Sequence, residues 1–110
     1  MYYQYFISLT QLRDTADAVH YLHDRQLVHG DIKAANVLIS PVGRALLTDF
    51  GLSKLSSSST STAVVGAGTT RWQSPELFDG GPKTTESDIY AFGMLIVEVR
   101  IIQFHYAVTS

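Results

Sequence analysis

The chain has 110 residues and no cysteine, so it is long enough for one small hydrophobic core and cannot form a disulfide or a thiolate metal site. Its formal net charge of −2 gives it no basic face of the kind that binds nucleic acid or an anionic membrane. The missing cysteines favour a reducing compartment, and the start MYYQYFISL lacks the basic segment of a signal peptide, so we expect a cytoplasmic protein.

The first predicted element is an amphipathic helix that runs from Ser8 to about Arg25. Apolar residues recur there at steps of three and four positions, as one face of a helix requires. These residues are Leu9, Leu12, Ala16, Val19 and Leu22. His20 and His23 lie on the same helix, and we expect one surface histidine and one packing histidine in preference to a metal site.

Two short apolar runs after this helix predict a small β-hairpin. The runs are NVLIS and RALLTDF, and a turn with the sequence PVG joins them. Residues 53–70 follow and are rich in Ser, Thr and Gly, a composition typical of a flexible loop. A short helical turn is expected from Pro75, with Gly80 and Gly81 ending it.

A second long helix is predicted over about 85–102, after the segment PKTTES. Thr84 or Thr85 is the candidate N-cap residue. Glu86 and Asp88 fall in the first turn, where carboxylates interact favourably with the helix dipole.

This second helix is apolar on every side from Ile89 to Ile102. Glu98 and Arg100 interrupt the apolar run, which falls short of the roughly 20 residues that a membrane span needs, so we expect a buried core helix and no membrane span. A helix without a polar face has to be surrounded by protein. Few residues follow it, so the sequence predicts a fragment of a larger domain.

Three polar motifs occur in a fixed order along the chain: HGDIKAAN at 29–36, DFG at 49–51 and SPE at 74–76. DFG alone is a weak signal, but the spacing of the set resembles the protein kinase signature. By that resemblance the catalytic loop covers 27–38, the metal-binding turn is the DFG motif, and the activation segment covers 49–76.

The resemblance implies a mainly α fold with a small β-hairpin, namely part of the large lobe of a protein kinase domain, over residues 1–110. No glycine-rich loop and no small-lobe lysine, which together clamp ATP, precede the first helix. The terminal helices of the large lobe, one of which supplies an arginine partner for the glutamate in the position of Glu76, are also expected to be absent. We therefore expect a fragment that is inactive, or nearly so, by itself.

The resemblance assigns phosphoryl-transfer chemistry to four residues. Asp31 is similar to the carboxylate that accepts the proton of the substrate hydroxyl, and Lys33 to the lysine that neutralises charge on the transferring γ-phosphoryl group of ATP. Asn36 and Asp49 resemble the ligands of Mg²⁺, so ATP and Mg²⁺ are the implied cofactors. Each residue alone has a simpler explanation, since Asp31 could cap a turn, Lys33 could be solvated and Asn36 could occupy a left-handed turn position.

Other positions acquire structural or regulatory roles from the same resemblance. His29 is implied to hold the loop near Asp49 and is not expected to act as a base. Phe50 resembles the residue whose packing sets active and inactive states, and Gly51 gives the turn its backbone freedom. Asp88 resembles the helix-borne aspartate that binds amides of the catalytic loop, a role compatible with that of a first-turn carboxylate.

The type of kinase can be narrowed from a few positions. Lys33 and the sequence GTTRWQSPE resemble serine/threonine-specific enzymes, in which a threonine at the place of Thr69 bridges the catalytic aspartate and lysine. The residues RW before SPE, with DIYAFGMLIVEV, favour the tyrosine-kinase-like branch of those enzymes. Gly30 stands where many kinases have an arginine that pairs with a phosphate on the activation segment, which implies a non-RD kinase that does not depend on that pair.

The implied function is ATP-dependent phosphoryl transfer to serine or threonine of a protein substrate. The main alternative is a kinase-like, non-catalytic interaction module that binds a partner such as an intact kinase through its Ser/Thr loop and exposed helix. A third possibility is an unrelated globular domain with chance motifs, which would gain support if Asp31 and Asp49 pointed away from a common cleft. Nucleic acid is not an expected partner.

Overall fold

The first long helix, α1, spans Leu9–Asp24 in the computed structural model, which describes residues 7–49, 54–55 and 70–109. Ser8 caps it in a capping box, because the Ser8 hydroxyl accepts from the Gln11 backbone N–H and the Gln11 side chain accepts from the Ser8 N–H. The helix ends at a turn in which Gln26 has a φ of 58°. The predicted helix from Ser8 to about Arg25 is confirmed.

Two pairs of antiparallel strands follow α1. The strands β2 (Val37–Ile39) and β3 (Ala45–Leu47) form the predicted hairpin, in which Val37 lies opposite Leu47. The strand β1 (Leu27–Val28) pairs with β4 (Lys54–Leu55), a connection that the sequence did not reveal, because strands of two residues carry no periodicity. The expected combination of a mainly helical chain with a small hairpin is confirmed, with this second pair added.

The C-terminal half is helical from Pro75 onward. The short helix α2 spans Pro75–Phe78, and Gly80, with a φ of 83°, follows it as expected. The long helix α3 spans Thr85–Thr109. Thr84 is its cap, because the Thr84 hydroxyl accepts from the Ser87 N–H at 3.1 Å and the Ser87 hydroxyl accepts from the Thr84 N–H at 2.8 Å. The helix runs seven residues past the expected end near 102, because no Gly or Pro interrupts the last segment.

The hydrophobic core lies between α1, the catalytic loop, the hairpin and one face of α3. Buried members of this core are Ile7, Val19, Leu22, Ile32, Ala34, Val37, Ala45, Leu47, Ala91, Leu95 and Val99. The last three recur at steps of four positions and mark the buried face of α3. The described elements contact α3 on the side that carries this stripe, and they leave other apolar residues of the helix exposed.

The expected need of α3 for cover on every side is therefore only partly met by the described elements. Ile89, Val97, Ile101 and Phe104 are between 46% and 70% exposed. Among the described residues, α3 is also the helix whose length and mean hydropathy suit a membrane span, and 18% of its most apolar stretch is buried in the protein. A core helix passes the same test of length and composition.

The contrast between the two faces of α3 gives a stability prediction. Leu95→Ala removes a fully buried side chain, and we expect a loss of about 2–5 kcal/mol in the free energy of unfolding. Ile101→Ala, on the exposed face of the same helix, should change it by less than about 0.5 kcal/mol. Urea denaturation of both variants tests the packing, and equal losses would contradict the one-sided burial of α3.

Candidate active site

The loop that the sequence predicts to be catalytic connects β1 to β2 and brings three of the predicted site residues together. The Asn36 side-chain nitrogen donates to the Asp31 backbone oxygen at 2.7 Å and to Oδ2 of Asp31 at 3.2 Å. Nζ of Lys33 lies 3.8 Å from the same Oδ2. A short 3-10 helix, Ala34–Asn36, gives Asn36 this reach by folding the chain back toward Asp31.

Asp49 is placed by the open end of the hairpin. The Asn36 backbone oxygen accepts from the Thr48 N–H at 2.8 Å and from the Thr48 hydroxyl at 3.0 Å. Asp49 follows directly and has a φ of 62°, in the left-handed region that Asp and Asn tolerate better than most side chains. Asn36 and Asp49 are the two residues expected to hold a cation. The hairpin brings them close in the backbone, because Asn36 is bonded to Thr48, the residue directly before Asp49.

His29 is fully buried and connects the loop to that same hairpin end. Its Nδ1 accepts from the Asp31 N–H at 3.0 Å, and its Nε2 donates to the Thr48 backbone oxygen at 2.8 Å. These two contacts assign the neutral tautomer that is protonated at Nε2. Both ring nitrogens are engaged by backbone groups, so the imidazole orients Asp31 and the residue before Asp49.

Asp88, in the first turn of α3, binds the start of the loop with both carboxylate oxygens. Oδ2 accepts from the His29 N–H at 2.7 Å, and Oδ1 accepts from the Gly30 N–H at 3.0 Å. Asp88 is 1% exposed, and Nε2 of His23 lies 2.8 Å from Oδ2. The half-buried His23 is thus a packing histidine that also supports the loop, while His20 is exposed.

Sequence reasoning missed two further residues at the loop, Glu98 and Lys83. Oε1 of Glu98 accepts from the Ala34 N–H at 3.0 Å and from the indole N–H of Trp72 at 3.1 Å. Lys83 is 3% exposed and donates to the Gly30 backbone oxygen. A charge inside an apolar helix was the available signal for Glu98, because a buried charge requires partners. For Lys83 the local pattern held no such signal.

Burial lowers the pKa of the Lys83 ammonium below its usual range, and the nearby carboxylates Asp31 and Asp88 oppose this shift. Lys83 and Asp31 are near each other, since both line one small cavity together with Trp72 and Gln73. The loop is therefore surrounded by charged groups whose hydrogen bonds run mostly to its backbone.

Comparison with known proteins identifies the family of the chain. The family model described as the protein kinase domain matches residues 8–108. The chain belongs to the protein kinase family. Its relatives include the mitogen-activated protein kinase kinase kinase dlk-1 of Caenorhabditis briggsae, 34% identical over 96 residues, which are 87% of this chain and 11% of the relative.

Two other relatives are also protein kinases that match most of this chain. The serine/threonine-protein kinase CTR1 of Arabidopsis thaliana is 35% identical over 97 residues, 86% of this chain and 12% of the relative. The mitogen-activated protein kinase kinase 1 of the same plant is 37% identical over 84 residues, 76% of this chain and 24% of the relative. These kinase relatives are serine/threonine protein kinases, and the chain spans between about a tenth and a quarter of their length. The predicted resemblance to this family is confirmed.

The remaining predicted signature residues are Phe50, Gly51, Thr69 and Glu76. Phe50, Gly51 and Thr69 fall outside the described residues, so their predicted roles stay predictions. Glu76 is exposed at the start of α2, where its Oε2 accepts from the Ser74 hydroxyl at 2.5 Å. Glu76 thus contacts its own helix start, separate from the contacts around Asp31.

The donor set of the kinase site fits Mg²⁺. Asn36 and Asp49 offer amide and carboxylate oxygens, which are the hard ligands that this ion prefers. Because Nδ2 of Asn36 points at Asp31, the oxygen of the amide faces the opposite way. Within 7–49, 54–55 and 70–109 there is no group of three or more acidic or histidine side chains placed to hold a metal ion.

The Glu98 contacts give a prediction with a built-in optical signal, since Trp72 is the single tryptophan. Glu98→Ala leaves the Ala34 N–H and the Trp72 indole N–H without their acceptor, so we expect unfolding to become easier by about 1–3 kcal/mol for each group that stays buried. The emission of Trp72 should shift with the new environment. Glu98→Gln keeps an acceptor oxygen and is the matched control. Equal stability and equal emission in the two variants would contradict a role of Glu98 in holding Ala34 and Trp72.

Proposed function

We propose that the chain carries the catalytic loop of a protein serine/threonine kinase, which transfers the γ-phosphoryl group of ATP to a serine or threonine hydroxyl of a protein substrate. The observation that carries the proposal is the convergence of Asp31, Lys33 and Asn36 within hydrogen-bond or ion-pair distance on one loop. The names of the serine/threonine kinase relatives support the substrate class.

Asp31 has the chemistry of the residue that orients the substrate hydroxyl and accepts its proton. The Asn36 amide and the Lys33 ammonium approach the same carboxylate oxygen, Oδ2, and so restrict its orientation. Lys33 supplies a positive charge beside that carboxylate, where the negative charge of a phosphoryl group would be stabilised. Phosphoryl transfer asks a protein mainly for positioning and charge neutralisation, and these three side chains offer both.

Asn36 and Asp49 are the residues that would hold the cation of MgATP. When bound, MgATP supplies the phosphoryl group and a metal that neutralises charge developing on it. Asn36 contributes a side-chain oxygen from the loop, and Asp49 contributes a carboxylate from the hairpin end. The backbone bond between Asn36 and Thr48 keeps these two ligands in fixed register.

The finer assignments belong to the same proposal. We assign the residues to the large lobe of a kinase domain of the tyrosine-kinase-like branch, on the motif GTTRWQSPE and the names of the relatives. The absence of cysteine supports a reducing compartment such as the cytoplasm. These 110 residues hold no glycine-rich loop to clamp a nucleotide, so we propose that transfer at full rate needs residues beyond them.

One observation favours a second function, that of a non-catalytic interaction module. The apolar residues Ile89, Val97, Ile101 and Phe104 of α3 are exposed, and apolar surface of this kind is typical of binding sites. In that case the exposed face would bind a partner such as an intact kinase. The two functions differ in one result, because the interaction module transfers no phosphate in any context.

Substitution of Asp31 tests the proposal. In the full-length protein, Asp31→Asn should lower MgATP-dependent phosphorylation of casein by about 10²–10⁴-fold, because the amide accepts no proton. Asp17→Asn, an exposed carboxylate of α1, should leave the rate unchanged. Transfer that survives Asp31→Asn would refute the assigned role, and a wild-type protein without any transfer would favour the interaction module.

A further inference from the structure

Lys83 is a buried cation for which neither the motif nor the chemistry described above has a use. It directly precedes the capping residue Thr84, is 3% exposed, and donates to the Gly30 backbone oxygen. Burial of an ammonium group is unfavourable unless acceptors and opposite charges compensate. Here the compensation comes from the Gly30 oxygen and from the negative charges of Asp31 and Asp88.

The target of Lys83 is the residue next to the proposed catalytic carboxylate. Gly30 has a φ of 92°, a conformation that glycine adopts without strain, and both of its backbone polar groups are bound. Its N–H donates to Oδ1 of Asp88, and its oxygen accepts from Lys83. Two residues of one short segment, Lys83 and Asp88, therefore hold Gly30 from its two sides.

The peptide unit between Gly30 and Asp31 is fixed at both ends. Its oxygen is bound by Lys83, and its N–H, which belongs to Asp31, donates to Nδ1 of His29 at 3.0 Å. Because a peptide unit is planar, two hydrogen bonds at its opposite edges set its orientation. That orientation fixes the N–Cα bond of Asp31 and so restricts the directions in which its side chain can leave the backbone.

We propose that Lys83 is a positioning residue for Asp31: its ammonium holds the Gly30–Asp31 peptide unit and thereby aims the Asp31 carboxylate. The effect on catalysis rests on the proposed kinase function, whereas the effect on the loop backbone does not. Lys83 acts through its hydrogen bond to the peptide unit, and its positive charge lies in the same cavity as Asp31.

Lys83→Met tests the proposal, because methionine keeps a similar apolar stem and lacks the ammonium. Amide hydrogen exchange of Gly30 and Asp31 should accelerate by about tenfold or more beyond any change in global stability, the equivalent of one lost buried hydrogen bond. In the full-length kinase, kcat for casein phosphorylation should fall by about tenfold with KM for ATP unchanged, as expected for a loss of alignment in the transition state.

The matched control is Thr15→Ala, at a fully buried position of α1. It removes the hydroxyl that donates to the Gln11 backbone oxygen at 2.9 Å, so it lowers stability without removing a hydrogen bond of Gly30. Its loop amides should follow global stability alone, and its kcat should equal that of the wild type. This comparison separates a positioning role from a general loss of stability.

The outcomes distinguish this inference from the function it rests on. Wild-type loop exchange and wild-type kcat in Lys83→Met would overturn the role of Lys83 alone. Full activity of Asp31→Asn would overturn the kinase assignment, and the exchange measurement would still decide whether Lys83 fixes the peptide unit. If Lys83→Met does not fold, Lys83→Gln replaces it: faster loop exchange and lower kcat support the proposal, and wild-type values of both contradict it.

Discussion

The buried carboxylate of Asp88 is the interaction on which the arrangement of the loop depends. A carboxylate that is 1% exposed is tolerated only when charge-assisted hydrogen bonds replace its water, and here the donors are the N–H groups of His29 and Gly30 and the imidazole of His23. Three separate pieces of the chain, α1, the catalytic loop and α3, therefore converge on one side chain. Loss of any one donor would leave buried charge uncompensated, so the three pieces hold their mutual positions together.

Glu98 is a second carboxylate of α3 that accepts a hydrogen bond from the backbone of the loop. It binds the Ala34 N–H, and it lies ten residues after Asp88, about 15 Å further along a helix axis. Both ends of the loop are thus tied by carboxylates of one helix, with Ile32 packed in the core between them. A rigid helix that carries both tethers explains how a loop with little regular structure keeps Asp31, Lys33 and Asn36 in a defined geometry.

Much of this could be read from the sequence where the signal is local. The start of α1 near Ser8, the apolar periodicity of α1 and the hairpin turn each depend on neighbours within a few positions, and each was predicted correctly. The association of Asp31, Lys33 and Asn36 was implied by the resemblance to the protein kinase signature. The motif could not reveal that Glu98 contacts Ala34 from 64 positions away, or that Lys83 reaches Gly30. Such contacts are fixed by tertiary packing, which no periodicity encodes.

The same limit applies to the burial of α3. Composition correctly marked α3 as apolar, but burial depends on which elements surround a helix, and the described elements cover one side of α3. The most direct test of the account is native-state amide exchange of the wild-type protein. If Asp88 and Glu98 join the loop to α3 in one cooperative unit, the amides of His29, Gly30 and Ala34 exchange with the same free energy as that of Leu95, to within about 1 kcal/mol. Loop amides that exchange through local opening, at a free energy several kcal/mol lower than that of Leu95, would contradict it.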